Sequence, residues 1–329
     1  MGNIVNVILS GGVGSRLWPL SRKAKPKQYI PLFEGKSLFE LTVERNKHIA
    51  SRSIMVGSIQ NVDLTKGYLA DGNNLTIVET VPRNTAAAIA FAALACEPDD
   101  ILIVSPSDHL IENQQKYEES LRESIRYAEE GYLVTFGIEP TRPETGYGYI
   151  EYQDNDVLSF REKPNLDTAK EFLKKGNFLW NSGIFCFKAS IYLDELFRFE
   201  PRVFRASKEA YEAAENGVLS EELSKKIPSK SIDYAVMERS ERIKVVPSNF
   251  VWSDMGSYDS LYDYLKAKGH HVDDAGNMVI GTDTYVSFLG VSNTILVHTA
   301  DAILVVHKQA SQDVKHLYEE LEQEESVLL

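Results

Sequence analysis

The densest chemistry in this 329-residue chain lies at positions 9–28, Leu-Ser-Gly-Gly-Val-Gly-Ser-Arg-Leu-Trp-Pro-Leu-Ser-Arg-Lys-Ala-Lys-Pro-Lys-Gln, directly after an apolar run. Gly11, Gly12 and Gly14 let the backbone approach a ligand closely and aim N–H groups at phosphate oxygens, and Arg16, Lys25 and Lys27 supply positive charge. Together with Leu9 at the strand end and Ser15, they make a candidate polyphosphate-binding loop. Two commoner glycine loops do not fit. Gly35-Lys36-Ser37 has the ending of a Walker loop, but Ile30 stands where its first glycine belongs, and Leu17 stands where a dinucleotide fingerprint needs a third glycine. An ordinary strand-to-helix turn is the plain alternative, against which the following cations weigh. Two carboxylates are placed to hold a hard cation. Asp108 sits just past the apolar run 101–104, and Asp254 lies in a turn between Trp252 and Gly256. Magnesium takes oxygen ligands, commonly one or two carboxylates plus phosphate oxygens, although a turn or capping role is the simpler reading of each aspartate alone.

The elements that must position these groups follow from hydrophobic periodicity. Short β-branched runs at 4–9, 53–56, 75–78 and 101–104 read as strands, with helical patterns at 38–49, 85–96 and 116–130 between them. That alternation predicts parallel βαβ units in a covered sheet, with ligands beyond the carboxyl ends of the strands, in the loops after Leu9, Val78 and Val104. From about Thr141 the pattern turns antiparallel, with strands at 147–151, 157–160 and 183–188, and a helix at 166–175, as a second wall of a cleft. After Gly269 short strands punctuated by Gly, Asn and Asp lead to an amphipathic helix at 312–324. The fold class expected is α/β, with domains at 1–268 and 269–329.

Several strings carry a family likeness. The loop with Arg16, Leu17, Pro19, Leu20 and Pro26-Lys27 resembles the signature of the sugar-nucleotide pyrophosphorylases. With Trp18, Ser21, Arg22 and Gln28 added it is similar to the mannose-1-phosphate guanylyltransferase branch. The likeness continues through the strings at 81–88, 105–109, 142–150, 161–164, 180–183, 231–235 and 252–256, and so covers roughly residues 4–260. It implies a Rossmann-like, GT-A-like nucleotidyltransferase with a mixed sheet covered by helices. The tail after Gly269 resembles the family's β-helix-like region, a small β-rich appendage with a role in subunit contact. With its last residue at 329, the chain is expected to lack the isomerase domain of the longer members. The implied substrates are GTP and mannose 1-phosphate, with Mg²⁺ as cofactor and a homodimer as the assembly.

An anionic sugar phosphate attacking the α-phosphorus of a triphosphate needs no strong base. It needs charge neutralisation and in-line positioning. Under the resemblance Arg16 and Lys27 neutralise the departing pyrophosphate, Asp108 and Asp254 hold the metal, and Lys163 places the nucleophile. Glu162 and Asn181 hold sugar hydroxyls, and Gly146 lets backbone approach the ring. Asn84 and Thr85 either read the base or cap the helix that follows them. Lys163 could equally be a solvated lysine and Asn181 a buried turn amide. His109 orients its loop, since no proton moves at the reacting centre, and the tyrosines at 147–152 read as cross-strand packing, with Tyr147 itself the candidate exception as a stacking residue. The alternatives carried forward are the same chemistry on another sugar or base, a non-catalytic regulatory subunit, and a dinucleotide-dependent oxidoreductase, which the missing third glycine weakens.

Composition is compatible with this assignment. A formal charge of −13, from 35 Lys+Arg against 48 Asp+Glu, disfavours nucleic acid and anionic membranes as partners, so a polyanionic substrate needs a local cluster of cations. The start at Met1-Gly2-Asn3 has no basic leader, and no long apolar run occurs, which points to a soluble, cytoplasmic protein. Cys96 and Cys186, flanked by apolar residues, read as reduced core thiols.

Overall fold

A computed structural model describes residues 2–69 and 73–329, which gather into two compact units. The first comprises residues 2–11, 42–107 and 111–252, and the second 12–41, 108–110 and 253–329.

The first unit is built on one nine-stranded mixed sheet. In chain order the strands are β1 (Ile4–Ser10), β2 (Arg52–Ser58), β3 (Leu75–Glu79), β4 (Ile101–Pro106), the short β5 (Leu110–Glu112), β6 (Leu133–Ile138), β7 (Tyr149–Gln153), β8 (Asp156–Arg161), β9 (Phe178–Lys188), β10 (Ile243–Ser248) and the short β11 (Val251–Ser253). The sheet order is β3-β2-β1-β4-β9-β6-β10-β8-β7, and the short β5 and β11 lie outside it. The first four strands are parallel, as the alternating pattern requires. β9 then runs antiparallel between β4 and β6. The segments expected to form a second wall instead complete this same sheet.

Strands in the middle of the sheet are buried on both faces, which is why they read as continuous apolar runs. Leu102 and Val104 of β4 join a core with α2 (Thr85–Leu94), while Ile101 and Ile103 face a core with α3 (Gln114–Glu129). Residues 86–93 of α2 are all buried, and their small side chains let the helix lie close on the sheet. The region 189–226 forms α5 (Ala189–Phe199), α6 (Pro201–Glu212) and α7 (Glu221–Lys226), which the sequence reading passed over. α5 carries Ile, Tyr and Phe, which suit a strand as well as a helix, and its packing on α2 decides the outcome. Two further helices are α1 (Leu38–Arg45) and α4 (Leu166–Lys175). Cys186 is fully buried and Cys96 partly so, both free; burial pushes the Cys96 thiol up to about 11.

The second unit holds α8 (Tyr258–Ala267), a three-stranded sheet of β12 (Met278–Ile280), β13 (Thr294–His298) and β14 (Ile303–His307), and α9 (Val314–Gln323). Its core joins Leu17 and Trp18 of the glycine-rich segment to Tyr258, Met278, Ile295 and Tyr318. The Tyr258 hydroxyl donates to the carbonyls of Leu17 (2.9 Å) and Trp18 (3.1 Å). The phosphate-type loop is therefore braced by the C-terminal strands and helices. Among the described residues, no helix is long and apolar enough to cross a membrane.

Candidate active site

Lys27 organises the chemistry of the second unit. Its Nζ lies 2.9 Å from Asp108 Oδ2 and donates to the Asp254 carbonyl at 2.8 Å and the Met255 carbonyl at 3.3 Å. These three contacts use all three ammonium hydrogens. The side chain is 9% exposed, so the buried charge is partnered, as burial demands. The residue expected to neutralise the departing pyrophosphate thus sits between the Asp108 carboxylate and the backbone carbonyls of Asp254 and Met255.

The local chain path explains how Lys27 arrives there. Gly14 adopts φ +78°, and a Cβ on it would lie 2.7 Å from Lys27 Cβ and Cγ, so the lysine stem occupies the space a side chain would need. The Lys27 N–H donates to the Val13 carbonyl (3.1 Å), the Leu17 N–H to Gly14 (2.9 Å) and the Ser21 hydroxyl to Gly14 (2.6 Å). Gly12, at φ +77°, and Gly11 face open space and are exposed. Ser15 opens a short 3-10 turn, Ser15–Leu17, on which Arg16 is exposed. Leu9, one residue short of the end of β1, belongs to the first unit, as does Gly11.

Asp108 is held ionised. Burial pushes its carboxyl up, but the Lys27 ammonium and then His109 outweigh that and leave it below the usual carboxylate range. His109 Nε2 stands 3.7 Å from Asp108 Oδ1. Asp254 accepts the Gly256 N–H at 3.2 Å, which fixes its turn around Met255, a residue with φ +45°. The donor set is carboxylate and carbonyl oxygen. Among the described residues no cluster of three or more His, Cys, Asp or Glu occurs. An oxygen-only donor set of this kind fits a hard divalent ion better than a thiophilic one.

A second polar cluster lies in the first unit. Asn181 falls inside β9 rather than in a turn, opposite Gly137 of β6, at a bulge where the register shifts between Thr135 and Gly137. Bulges re-aim side chains. Here Asn181 Oδ1 accepts the Thr135 hydroxyl (2.9 Å) and the Gly183 N–H (3.2 Å), while Nδ2 donates to Asp233 Oδ1 (3.0 Å). Glu162 is close by, because a Cβ on Gly148 would lie 2.6 Å from Glu162 Oε2 and 3.4 Å from Asn181 Cβ. Glu162 Oε1 pairs with Lys163 Nζ at 2.8 Å, the glutamate buried and the lysine side chain 59% exposed. Lys163 has φ +47° before Pro164, so the turn projects it from a strained backbone. Burial lowers the Lys163 ammonium's pKa, but Glu162 outweighs this and leaves it raised and charged.

The other sequence-derived positions fall nearby in the chain with plainer roles. Gly146 is exposed and its N–H donates to Glu144 Oε1 (3.0 Å). Within the structure itself, a Cβ would collide at Gly148, 2.6 Å from Glu162 Oε2. Asn84 caps α2 by accepting the Thr85 N–H at 2.8 Å, and the Thr85 hydroxyl accepts the Ile232 N–H at 2.9 Å. The Asn84 contact is that of a helix cap, and Thr85 anchors the segment that carries Asp233. Tyr147, the residue set apart from that packing, lies before β7 and meets Trp180 and Trp252 edge-on.

Asp233 is the residue that sequence reasoning left without a role, although it lies within the quoted string 231–235. It opens a π-helical turn, Asp233–Met237, closed by the Glu238 N–H donating to the Asp233 carbonyl at 2.9 Å. Burial, and then the nearby Glu162 charge, push its carboxyl up to about 6. The available signal was an aspartate set beside Ile232 and Ala235 in an otherwise apolar turn.

Comparison with known proteins places this geometry. Residues 5–269 match the nucleotidyl transferase family and residues 270–321 the MannoseP isomerase/GMP-like β-helix domain family. An Escherichia coli mannose-1-phosphate guanylyltransferase is 38% identical over 97% of this chain and 74% of its own length. The xanthan biosynthesis protein XanB of Xanthomonas campestris is also 38% identical, over 98% of this chain and 74% of its own. A Thermus thermophilus crystal structure, described as a mannose-1-phosphate geranyltransferase, superposes with a TM-score of 0.85 at 31% identity, over 97% of this chain and 99% of that one. A glycine loop whose lysine joins two aspartates, together with a Glu-Lys-Pro turn beside a fixed asparagine, thus occurs in a chain that belongs to the mannose-1-phosphate guanylyltransferase family of nucleotidyl transferases.

Proposed function

We propose that this enzyme transfers GMP from GTP to mannose 1-phosphate, forming GDP-mannose and pyrophosphate. The observation that carries the reading is the Lys27 ammonium, seated on the Asp108 carboxylate and the Asp254 carbonyl directly after a glycine loop. The relatives' names supply the sugar and the base. The reaction is one in-line displacement. An anionic phosphate oxygen of the sugar phosphate bonds to the α-phosphorus as the bond to the bridging oxygen of the β-phosphate breaks, and the pyrophosphate carries off that electron pair. The nucleophile is already ionised near neutral pH, so no general base is required.

In this reading the glycine loop takes the triphosphate and the Glu-Lys-Pro turn takes the sugar phosphate. Backbone N–H groups of the loop and exposed Arg16 bind phosphate oxygens, while Lys27 holds the two aspartates in register. Asp108 and Asp254 would hold Mg²⁺, which when bound supplies charge neutralisation for the phosphoryl oxygens. Lys163 steers the sugar phosphate, and Glu162 and Asn181 bind its hydroxyls. A cytoplasmic homodimer is the location and assembly we infer, with the family likeness as its support.

The test is pyrophosphate release by purified protein with Mg²⁺, across four nucleoside triphosphates and a panel of hexose 1-phosphates, with EDTA as control. Selective release with GTP and mannose 1-phosphate is expected, and release with no pair would overturn the reading. Asp108→Asn and Asp254→Asn should each lower metal-dependent kcat by at least about 10²-fold with an unchanged circular dichroism spectrum. Full activity in both variants would refute their assignment as metal ligands.

A further inference from the structure

Asn181 is chemically ambiguous until something decides which way its amide faces, since its oxygen accepts and its nitrogen donates. Two neighbours decide it. The Gly183 N–H can only donate, so it faces Oδ1, and an ionised Asp233 carboxylate can only accept, so it faces Nδ2. With Thr135 also on Oδ1, one Nδ2 hydrogen remains to meet a ligand. Across Gly148 stands the Glu162 carboxylate, an acceptor.

We propose that Asp233 is a positioning residue for sugar recognition. It locks the Asn181 amide so that Asn181 presents only a donor beside the acceptor Glu162, and this pair selects a sugar hydroxyl that accepts from one and donates to the other. The inference rests on the function proposed above and deepens it. The π-helical turn that carries Asp233 supports it, because that turn is anchored at its start, where the Ile232 N–H donates to Thr85 Oγ1, and closed on itself by the Glu238 N–H donating to the Asp233 carbonyl. Wider π turns of this kind recur at functional sites. Gly148 supports it as well, since any side chain there would wedge between Glu162 and Asn181.

The lock depends on charge, and the groups facing Asp233 are Glu162, Lys163, the Ser231 hydroxyl and Tyr192. Burial and then Glu162 raise its carboxyl to about 6, against the opposing pull of its own N–H, Ser231 and Lys163. Above that pH Asp233 is an acceptor and the amide is fixed. Below it the carboxyl gains a proton it can donate, the amide loses one of the two neighbours that fix it, and selectivity for the hydroxyl falls.

The experiment measures KM for mannose 1-phosphate and for GTP separately, from pH 5 to 8, in the wild type, Asp233→Ala and Asp233→Asn. Wild-type turnover must come first, because no turnover with any sugar overturns the proposed function rather than this inference. Asp233→Ala should raise KM for the sugar phosphate about 10-fold or more while changing KM for GTP less than about 2-fold. Asp233→Asn, which like the protonated carboxyl can donate as well as accept, should show near pH 7.5 the raised sugar KM that the wild type reaches only below about pH 6, with no further rise at acid pH. The substrate phosphate titrates in the same range in every variant and cancels in the wild-type-to-variant ratio. Equal loss of both KM values in Asp233→Ala, or an acid limb unchanged in Asp233→Asn, would overturn the proposal. Should Asp233→Ala fail to fold, the Asp233→Asn profile alone decides.

Discussion

Replacing Gly14 with alanine tests whether the glycine serves the ligand or Lys27. Gly14 has φ +78°, where an L-residue costs roughly 1–2 kcal/mol. The new Cβ would also stand 2.7 Å from Lys27 Cβ and Cγ and 2.9 Å from Cδ. Those atoms form the root of the side chain, not its tip, and the Lys27 N–H is pinned to Val13, so relief must come from moving the whole lysine. Nζ would then leave a seat defined by contacts of 2.9 and 2.8 Å on Asp108 and Asp254. Misplacement of about 1 Å in such a constellation costs on the order of 10²-fold in rate. The control is Gly35→Ala, at φ +81° with open space around it, which carries the backbone cost without the collision. Both variants should lose Tm, about 2–4 °C per kcal/mol, and Gly14→Ala should lose more because it adds the collision to the backbone cost. Only Gly14→Ala should lose kcat, by about 10- to 100-fold, in a coupled pyrophosphate-release assay. Equal kcat in the two variants would refute the argument and return Gly14 to a role in ligand contact alone.

Glu79, at the end of β3, is 7% exposed, and burial pushes its carboxyl from 4.5 to about 7. A raised carboxyl favours the folded state fully below pH 4.5 and loses that advantage as pH climbs to about 7, a change of roughly 3 kcal/mol. Glu79→Gln, neutral throughout, should therefore gain Tm over wild type between pH 5 and 8, measured by scanning calorimetry, and a pH-independent difference would refute the assignment. Asn84 caps α2 from φ 70°, ψ 175°, a region that favours glycine. Asn84→Ala should cost about 1–3 kcal/mol in urea unfolding and Asn84→Gly markedly less; the reverse order would show that the cap outweighs the backbone.

The sequence determined the parts of this protein that depend on local chemistry. Parallel strands buried on both faces announce themselves as β-branched runs, so β1 to β4 were legible, and the alanine-rich stretch at 85–96 could only be a helix lying close to a sheet. The glycine loop, the two aspartates and the Glu-Lys-Pro turn were legible because their types suit polyphosphate and hard-cation chemistry, whatever the surrounding fold. Tertiary structure decided what those residues touch. Nothing in the spacing of Lys27, Asp108 and Asp254 shows that one ammonium joins the other two, because the contact spans 227 positions and exists only once Leu17 and Trp18 pack on the C-terminal elements. The placement of Asn181 inside β9 depends on a bulge against β6, set by how Gly137 packs on Leu179 and Val245. Asp233 looked like one aspartate among many until burial beside Glu162 raised its carboxyl and gave it the Asn181 amide to hold. Residue type fixes what a side chain can do, but desolvation and partner geometry decide which of those things it does, and both arise only when distant segments pack together.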